Sequence, residues 1–299
     1  MEQLRNALLR RGVHTETEYP LSRHSSFRIG GKAALAIFPK TREEMIASLQ
    51  ELTERNVPFL TIGKASNVVF SDNGFSGAIL FTTAYRDCCV EENRIRAASG
   101  ISLYSLAVAA EKASLSGLEF AHGIPGTLGG AVVMNAGAYG GSMQDVCLKS
   151  EYFDTDSGQI GEFVGSAQEF SYRESIYSSR PNYVILGATL QGVAEDPLVI
   201  RSRMEDYKQR RRTAQPLEYP SAGSVFRRPT GHFAGKLIED CGLKGYSVGG
   251  AQVSEKHAGF IINTGNATCD DVLKLVDHIK NEVHKKYGIM LECEPELLR

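Results

Sequence analysis

The chain of 299 residues has no tryptophan, no real excess of either charge and no long hydrophobic run. Its 33 basic and 35 acidic side chains leave a formal net charge of −2. That balance removes the positive face that nucleic-acid binding needs. No stretch approaches the length of about 18 apolar residues that a spanning helix requires, so no membrane segment is expected. Residues 1–12 carry Glu2, Arg5, Arg10 and Arg11 and lack the apolar core of a signal peptide. The six cysteines, Cys88, Cys89, Cys147, Cys241, Cys269 and Cys293, form no CxxC pair and no paired metal spacing. Neither a metal site nor a disulfide framework is therefore expected, and reduced thiols suit a cytoplasmic chain. Two nucleotide signatures are also missing. No GxGxxG follows a strand with an acid about 20 residues on. Residues 231–237 fall one residue short of a P-loop and carry Leu237 where Ser or Thr must hold magnesium.

Glycine is what the chain has in quantity: 30 residues, where average usage of about 7% would give about 21. Eight of them lie between Gly117 and Gly141, interleaved with Ile124, Leu128, Val132, Val133 and Met134. Flexible linkers are polar, so this segment does not read as one. Glycine lets backbone approach a ligand and exposes N–H groups to anions, which suits a pyrophosphate. The candidate contacts are Gly123, Pro125, Gly126, Thr127, Gly129, Gly130, Asn135, Gly137, Ala138 and Tyr139. A second loop, Ile62, Gly63, Lys64, Ala65, Ser66 and Asn67, offers small and amide groups for a second set of contacts. An ordinary tight turn is its alternative reading.

Periodicity places strands at 34–38, 59–62, 67–70, 78–81 and 183–190. A helix over 41–55 has Thr41 and Glu44 as a capping box, with Met45, Leu49 and Leu52 on one face. Further helices are expected over 102–114, from Asp196-Pro197 to just before Gln215-Pro216, and over 269–287. Thr268 and Asp271 start the last one, Gly288 ends it, and a short strand at 289–291 follows. Strands alternate with helices, so the class is α/β or α+β. A composition change near 192–200 marks a domain boundary. Arg210-Arg211-Arg212 reads as a solvated helix end or a site for a small anion.

Arg28-Ile29-Gly30-Gly31, residues 63–67 followed by Asp72-Asn73-Gly74-Phe75, and residues 123–139 together resemble the flavin-binding lobe of the vanillyl-alcohol-oxidase type. Tyr172-Arg173-Glu174-Ser175, residues 221–229, Leu243-Lys244-Gly245, residues 254–263 and Leu291-Glu292-Cys293-Glu294 narrow the match. Over residues 20–296 the chain resembles the UDP-N-acetylenolpyruvoylglucosamine reductase family of bacterial cell-wall synthesis. The resemblance implies an α+β fold. An N-terminal helix (1–19) would precede a PCMH-type FAD-binding domain (20–192, lobes 20–85 and 86–192). A substrate-binding domain (200–287) and a C-terminal strand (288–299) returning to the active site would follow. It further implies FAD and NADPH as cofactors, a UDP-sugar as substrate, and a monomer with no nucleic-acid or membrane partner. The 299 residues and the short 190–196 connection match the form that lacks a tyrosine-bearing closing loop.

The resemblance also assigns roles. Hydride addition beside a carboxylate leaves an enediolate-like anion, and the other carbon must be protonated. Arg173 matches the cation that stabilises the anion, Ser224 the proton donor, and Glu294 a second stabiliser whose carboxyl would have a raised pKa. Arg28 joins the two glycine loops in holding FAD. Lys208, Arg212, Gln215, Arg228 and Lys256 match substrate contacts. His24 and His257 read as ordinary polar contacts, because these reductases bind FAD noncovalently. Two departures stand out: Cys293 replaces the usual proline, which leaves Glu296 as a rival to Glu294, and Ala65 replaces a common glycine. Two other readings compete: another flavin oxidase acting on an alcohol or lactone, and a nucleotide-binding module without turnover.

Overall fold

The computed structural model describes residues 1–298. They form two compact units that interleave along the chain. Met1–Thr17, Ala34–Lys64 and Gly77–Arg210 make the first. Glu18–Ala33, Ala65–Ser76 and the chain from Arg211 onward make the second. The expected blocks 20–192 and 200–287 are thus divisions of chain order, and the compact units cut across them.

In the first unit the helix Glu2–Arg10 buries Leu4, Ala7 and Leu8. A four-stranded sheet takes the order His14–Pro20, Lys32–Phe38, Phe75–Phe81, Phe59–Ile62. The helix Arg42–Glu54 starts as its cap demands, with Thr41 Oγ1 accepting the Glu44 N–H at 3.2 Å. The Glu44 carboxylate, however, accepts from the Lys40 N–H at 2.7 Å. The second half of the expected capping box is thus displaced by one residue. Leu35, Ile37, Met45, Leu49, Leu52, Ala78 and Leu80 are fully buried together. A buried leucine of this kind stabilises the fold by about 1.5–3 kcal/mol.

A second sheet follows the order Ile160–Val164, Cys147–Asp154, Tyr183–Gln191, Arg94–Ala98, Cys88–Glu91, antiparallel throughout. The helices Leu103–Lys112 and Leu128–Val133 share its core through Leu103, Leu106, Ala110, Leu128 and Val132. Cys147 is buried there, with its thiol pushed up to about 12 by desolvation. Residues 192–196 alone link Tyr183–Gln191 to the helix Pro197–Ala214, and Val193–Ala194 is itself a strand, so no closing loop is inserted there. Asp196 Oδ1 accepts the Leu198 N–H at 2.8 Å to start this helix, and Pro216 stops it. Its apolar grip is thin: only Ile200 and Met204 are buried, against Ala107. Ion pairs do the rest. Arg201 bonds Glu111 at 2.6 Å, and Arg203 bonds Glu119 at 2.9 Å and Glu195 at 2.7 Å. Glu119 is only 6% exposed, so this pairing is what makes its burial tolerable.

In the second unit four antiparallel strands run in the order Ser221–Ser224, Phe260–Asn263, Ala251–Val253, Ser247–Val248. The helices Ala234–Asp240 and Cys269–Tyr287 supply the rest of one core, including Ile238, Val272, Leu275 and Ile279. Thr268 and Asp271 form the expected capping box, and Gly288 ends the helix at φ 69°. Early segments are stitched in by polar bonds. Asp72 accepts the Cys269 N–H at 3.0 Å, Ser26 Oγ donates to Ser221 O at 2.7 Å, and Asn263 Nδ2 donates to Phe27 O at 3.1 Å. The expected strand at 289–291 does not form. Leu291 is instead buried in the core at 2% exposure. Pairing begins at Cys293, which bridges Phe226, and continues as Glu296–Leu298 beside Val68–Phe70 in parallel. No helix among the described residues is long and apolar enough to cross a membrane.

Candidate active site

The first unit brings Gly63 against the glycine loop at 123–139. Gly63 ends the strand Phe59–Ile62, and a Cβ there would overlap Thr127 Oγ1 and lie 3.2 Å from Thr127 Cβ and Cγ2. Residues 126–129 are pinned by Leu103 N–H to Gly126 O at 3.1 Å, Leu128 N–H to Ile101 O at 2.9 Å and Gly129 N–H to Ser99 O at 2.8 Å. A Cβ at Gly129 would stand 2.9 Å from Ser99 Cβ, and one at Gly137 2.6 Å from Gly141 O. These glycines are therefore required by contacts within the protein. Gly130 is different: its nearest such neighbour, Thr127 Oγ1, is 3.7 Å away. The hydroxyls of Thr61, Ser99 and Thr127 are buried without a partner in the protein. Buried polar groups are normally satisfied, so orphaned hydroxyls around these loops mark a place built for a polar ligand.

Arg173 is held beside the same loop. Ser171 and Glu174 exchange backbone bonds at 3.0 and 3.3 Å, making Tyr172-Arg173 the middle of a tight turn. Asn135 Nδ2 donates to Ser171 O at 2.8 Å, while its Oδ1 accepts the Gln144 N–H at 2.9 Å. Ser175 Oγ donates to Val133 O at 2.7 Å. The Tyr-Arg-x-Ser motif thus has a local cause: its serine and its turn anchor Arg173 to residues 133–135. The Arg173 guanidinium lies 5.3 Å from the Tyr172 ring centroid.

The second unit holds Ser224 and the C-terminal carboxylates. Ser224 pairs with Phe260 across an irregular ladder that Gly223 opens at φ 78°. The Glu294 N–H donates to Val225 O at 2.9 Å, and the Arg227 N–H donates to Glu292 O at 2.9 Å. The ladder bonds run one residue either side of Cys293, so this register makes no use of the N–H that the usual proline would lack. Asn67 Nδ2 donates to Glu294 O at 3.1 Å. Glu296 belongs to a different place, opposite Val68 and with its N–H on Asn67 O at 3.0 Å. His257 Nδ1 accepts the Gly259 N–H at 3.1 Å, and burial pushes the ring below the usual histidine range.

The expected substrate contacts scatter more. Lys208 is paired with Glu205 at 3.2 Å. Lys256 donates to Arg212 O at 2.9 Å and lies 3.7 Å from Glu218, closing the end of the long helix. Arg228 is exposed and lies 4.4 Å from the Phe233 ring centroid. Gln215 Oε1 is buried without a partner.

Five residues singled out from sequence, Arg28, Ala65, Asn135, Tyr139 and Arg173, adopt left-handed backbone. Side chains with a Cβ pay for that conformation, and such strain concentrates at functional sites. Ala65, at φ 47°, stands where a glycine would be unstrained. Sequence reasoning missed the arginine clamp on Glu119 and the stack of Tyr207 on Tyr139, whose ring centroids are 4.5 Å apart. Their partners are 84 and 68 positions apart, so no local signal announces them.

Comparison with known proteins decides the family. Residues 33–163 match an FAD binding domain, and residues 215–298 match the UDP-N-acetylenolpyruvoylglucosamine reductase C-terminal domain. A UDP-N-acetylenolpyruvoylglucosamine reductase from Caldanaerobacter subterraneus is 46% identical, covering 93% of this chain and 91% of that one. The chain belongs to the UDP-N-acetylenolpyruvoylglucosamine reductase family. A second reductase of that name, from Lachnoclostridium phytofermentans, is 47% identical over the same shares of both chains. The crystal structure of the Thermus caldophilus reductase superposes with a TM-score of 0.79 at 30% identity, covering 96% of this chain and 99% of that one. Membership carries FAD and NADPH as cofactors and the mixed α+β, PCMH-type fold. The orphaned hydroxyls and interlocked glycine loops fit the flavin nucleotide.

Proposed function

We propose that the chain reduces the enolpyruvyl double bond of UDP-N-acetylglucosamine-enolpyruvate to give UDP-N-acetylmuramate. The observation that carries this reading is the near full-length match to reductases of that name. Bound FAD would supply hydride transfer between NADPH and the substrate. Residues 62–67 and 123–139, with Arg28, would hold it. Arg173 grips the substrate carboxylate. Its turn is anchored at Asn135, and its guanidinium would meet the negative charge that grows on the enediolate-like anion. Ser224 delivers the proton to the other carbon. A serine hydroxyl is a poor acid, so its transfer needs stabilisation from its neighbours. Glu294 is the second stabiliser of the anion, and its backbone is bonded to Val225, the residue after Ser224. Glu296 lies in the strand paired with Val68–Phe70 and has no such bond to the Ser224 ladder, which favours Glu294. Lys208, Arg212, Gln215, Arg228 and Lys256 form the substrate-contact set, with Lys256 acting in part through the helix end it closes.

Single-turnover kinetics of Ser224→Ala test these roles. NADPH should reduce the flavin at the wild-type rate. The return step on the enolpyruvyl substrate should slow by about 10²–10⁴-fold, the usual worth of a positioned general acid. Equal slowing of both half-reactions, or of neither, would remove Ser224 from the proton-delivery role.

A further inference from the structure

Tyr139 occupies a position that tyrosine does not favour. Gly137–Ala138 and Gly141–Ser142 form a hairpin with Ala138 opposite Gly141, so Tyr139-Gly140 is its two-residue turn. Both turn residues have positive φ, 55° and 90°, the pattern of a type I′ turn. Asn, Asp or Gly is preferred at the first of these positions, because a Cβ in left-handed backbone is strained. The turn has no local need for a large aromatic ring. The ring is instead used at a distance. It stacks on Tyr207 of the helix Pro197–Ala214, centroids 4.5 Å apart and planes 12° from parallel.

Both ends of this stack are tied to the same short element, Glu119–Ala121. One helical turn before Tyr207, Arg203 bonds the buried carboxylate of Glu119 at 2.9 Å. Glu119 in turn accepts the Gly117 N–H at 2.8 Å. On the hairpin side, Gly141 lies against Phe120, whose Cδ1 a Cβ there would approach to 2.8 Å. Hairpin, stack, helix, arginine clamp and Glu119–Ala121 therefore close a circuit inside the first unit.

We propose that Tyr207 is a positioning residue of the flavin site: by stacking on Tyr139 it holds the strained turn, and with it residues 135–139, in the shape that binds FAD. This rests on the reading that residues 123–139 contact the cofactor. The full chain, stripped of flavin and titrated with FAD, reports affinity through flavin fluorescence. A stacked aromatic pair is worth about a two- to twelve-fold change in a dissociation constant. Tyr207→Leu should weaken FAD binding by that factor, and Tyr207→Phe, which keeps the ring, should not. At saturating FAD, kcat of Tyr207→Leu should match the wild type, a split that general damage to the fold would not produce. Tyr207→Leu added to Tyr139→Leu should cost little more than Tyr139→Leu alone. If Tyr207→Leu folds poorly, Tyr207→His serves as the second variant, with an intermediate loss expected. Unchanged affinity in Tyr207→Leu, or full additivity with Tyr139→Leu, would overturn the proposal. Gly137→Val separates it from the reading beneath, because its side chain would meet Gly141 O and distort the hairpin directly. If Gly137→Val weakens FAD and Tyr207→Leu does not, the brace fails and the loop assignment stands. If folded Gly137→Val also binds FAD normally, the loop assignment itself has failed.

Discussion

Gly63→Ala is the sharpest perturbation of the proposed flavin cradle. The backbone of Gly63 is not left-handed, so alanine brings no conformational strain there. Its whole effect is the added methyl, which overlaps Thr127 Oγ1 and comes within 3.2 Å of Thr127 Cβ and Cγ2. Thr127 is 2% exposed and precedes the helix Leu128–Val133, whose start is bonded to Ser99 and Ile101, so it cannot simply swing away. Overpacking of this kind costs about 1–3 kcal/mol. If the loops move apart to relieve it, FAD affinity should fall by about 5- to 150-fold. Flavin titration with a thermal melt of each variant separates lost affinity from lost fold. The double variant Gly63→Ala/Thr127→Ala removes Oγ1 and Cγ2 and leaves only Cβ at 3.2 Å, so it should recover most of the loss relative to Thr127→Ala alone. Wild-type affinity in Gly63→Ala, or no recovery in the double variant, would refute the steric argument.

Other outcomes follow from single features. Ala65→Gly relieves a left-handed, buried alanine and should stabilise the chain in urea unfolding by at most about 1 kcal/mol, net of glycine's own entropy cost and the lost methyl burial. Burial lowers the pKa of His257 and of His122, so the unfolded chain binds their protons more readily than the folded one. Their contribution to stability is complete above the ordinary histidine pKa of about 6.5 and is lost as pH falls below it. His257→Gln should flatten that acid limb of a melting profile. Glu294→Gln should slow flavin reoxidation by substrate while sparing reduction by NADPH; full activity in this variant would show that titration of Glu294 is not needed.

Much of this molecule was legible in its residues. Capping pairs and periodicity locate the helices Arg42–Glu54, Leu103–Lys112, Pro197–Ala214 and Cys269–Tyr287 because those signals are local. The motifs around Arg173 and Ser224 are legible only through the family resemblance, because a lone arginine or serine carries no such signal. The strand expected at 289–291 fails because hydrophobic content alone does not distinguish a ladder from a buried coil, and Leu291 is the latter. The interleaving of 18–33 and 65–76 with the C-terminal residues was not legible. It depends on bonds such as Asp72 to Cys269 and Asn263 to Phe27, nearly 200 or more positions apart. The glycine excess reads as backbone laid against a dinucleotide. Gly63, Gly129 and Gly137 are in addition required by contacts within the protein.

The anaerobic visible spectrum of the purified chain tests the central claim most directly. It should be yellow, bleach on addition of NADPH, and regain its colour when UDP-N-acetylglucosamine-enolpyruvate is added without oxygen. A protein that binds no flavin, or a reduced flavin that only oxygen and not this substrate reoxidises, would contradict the account.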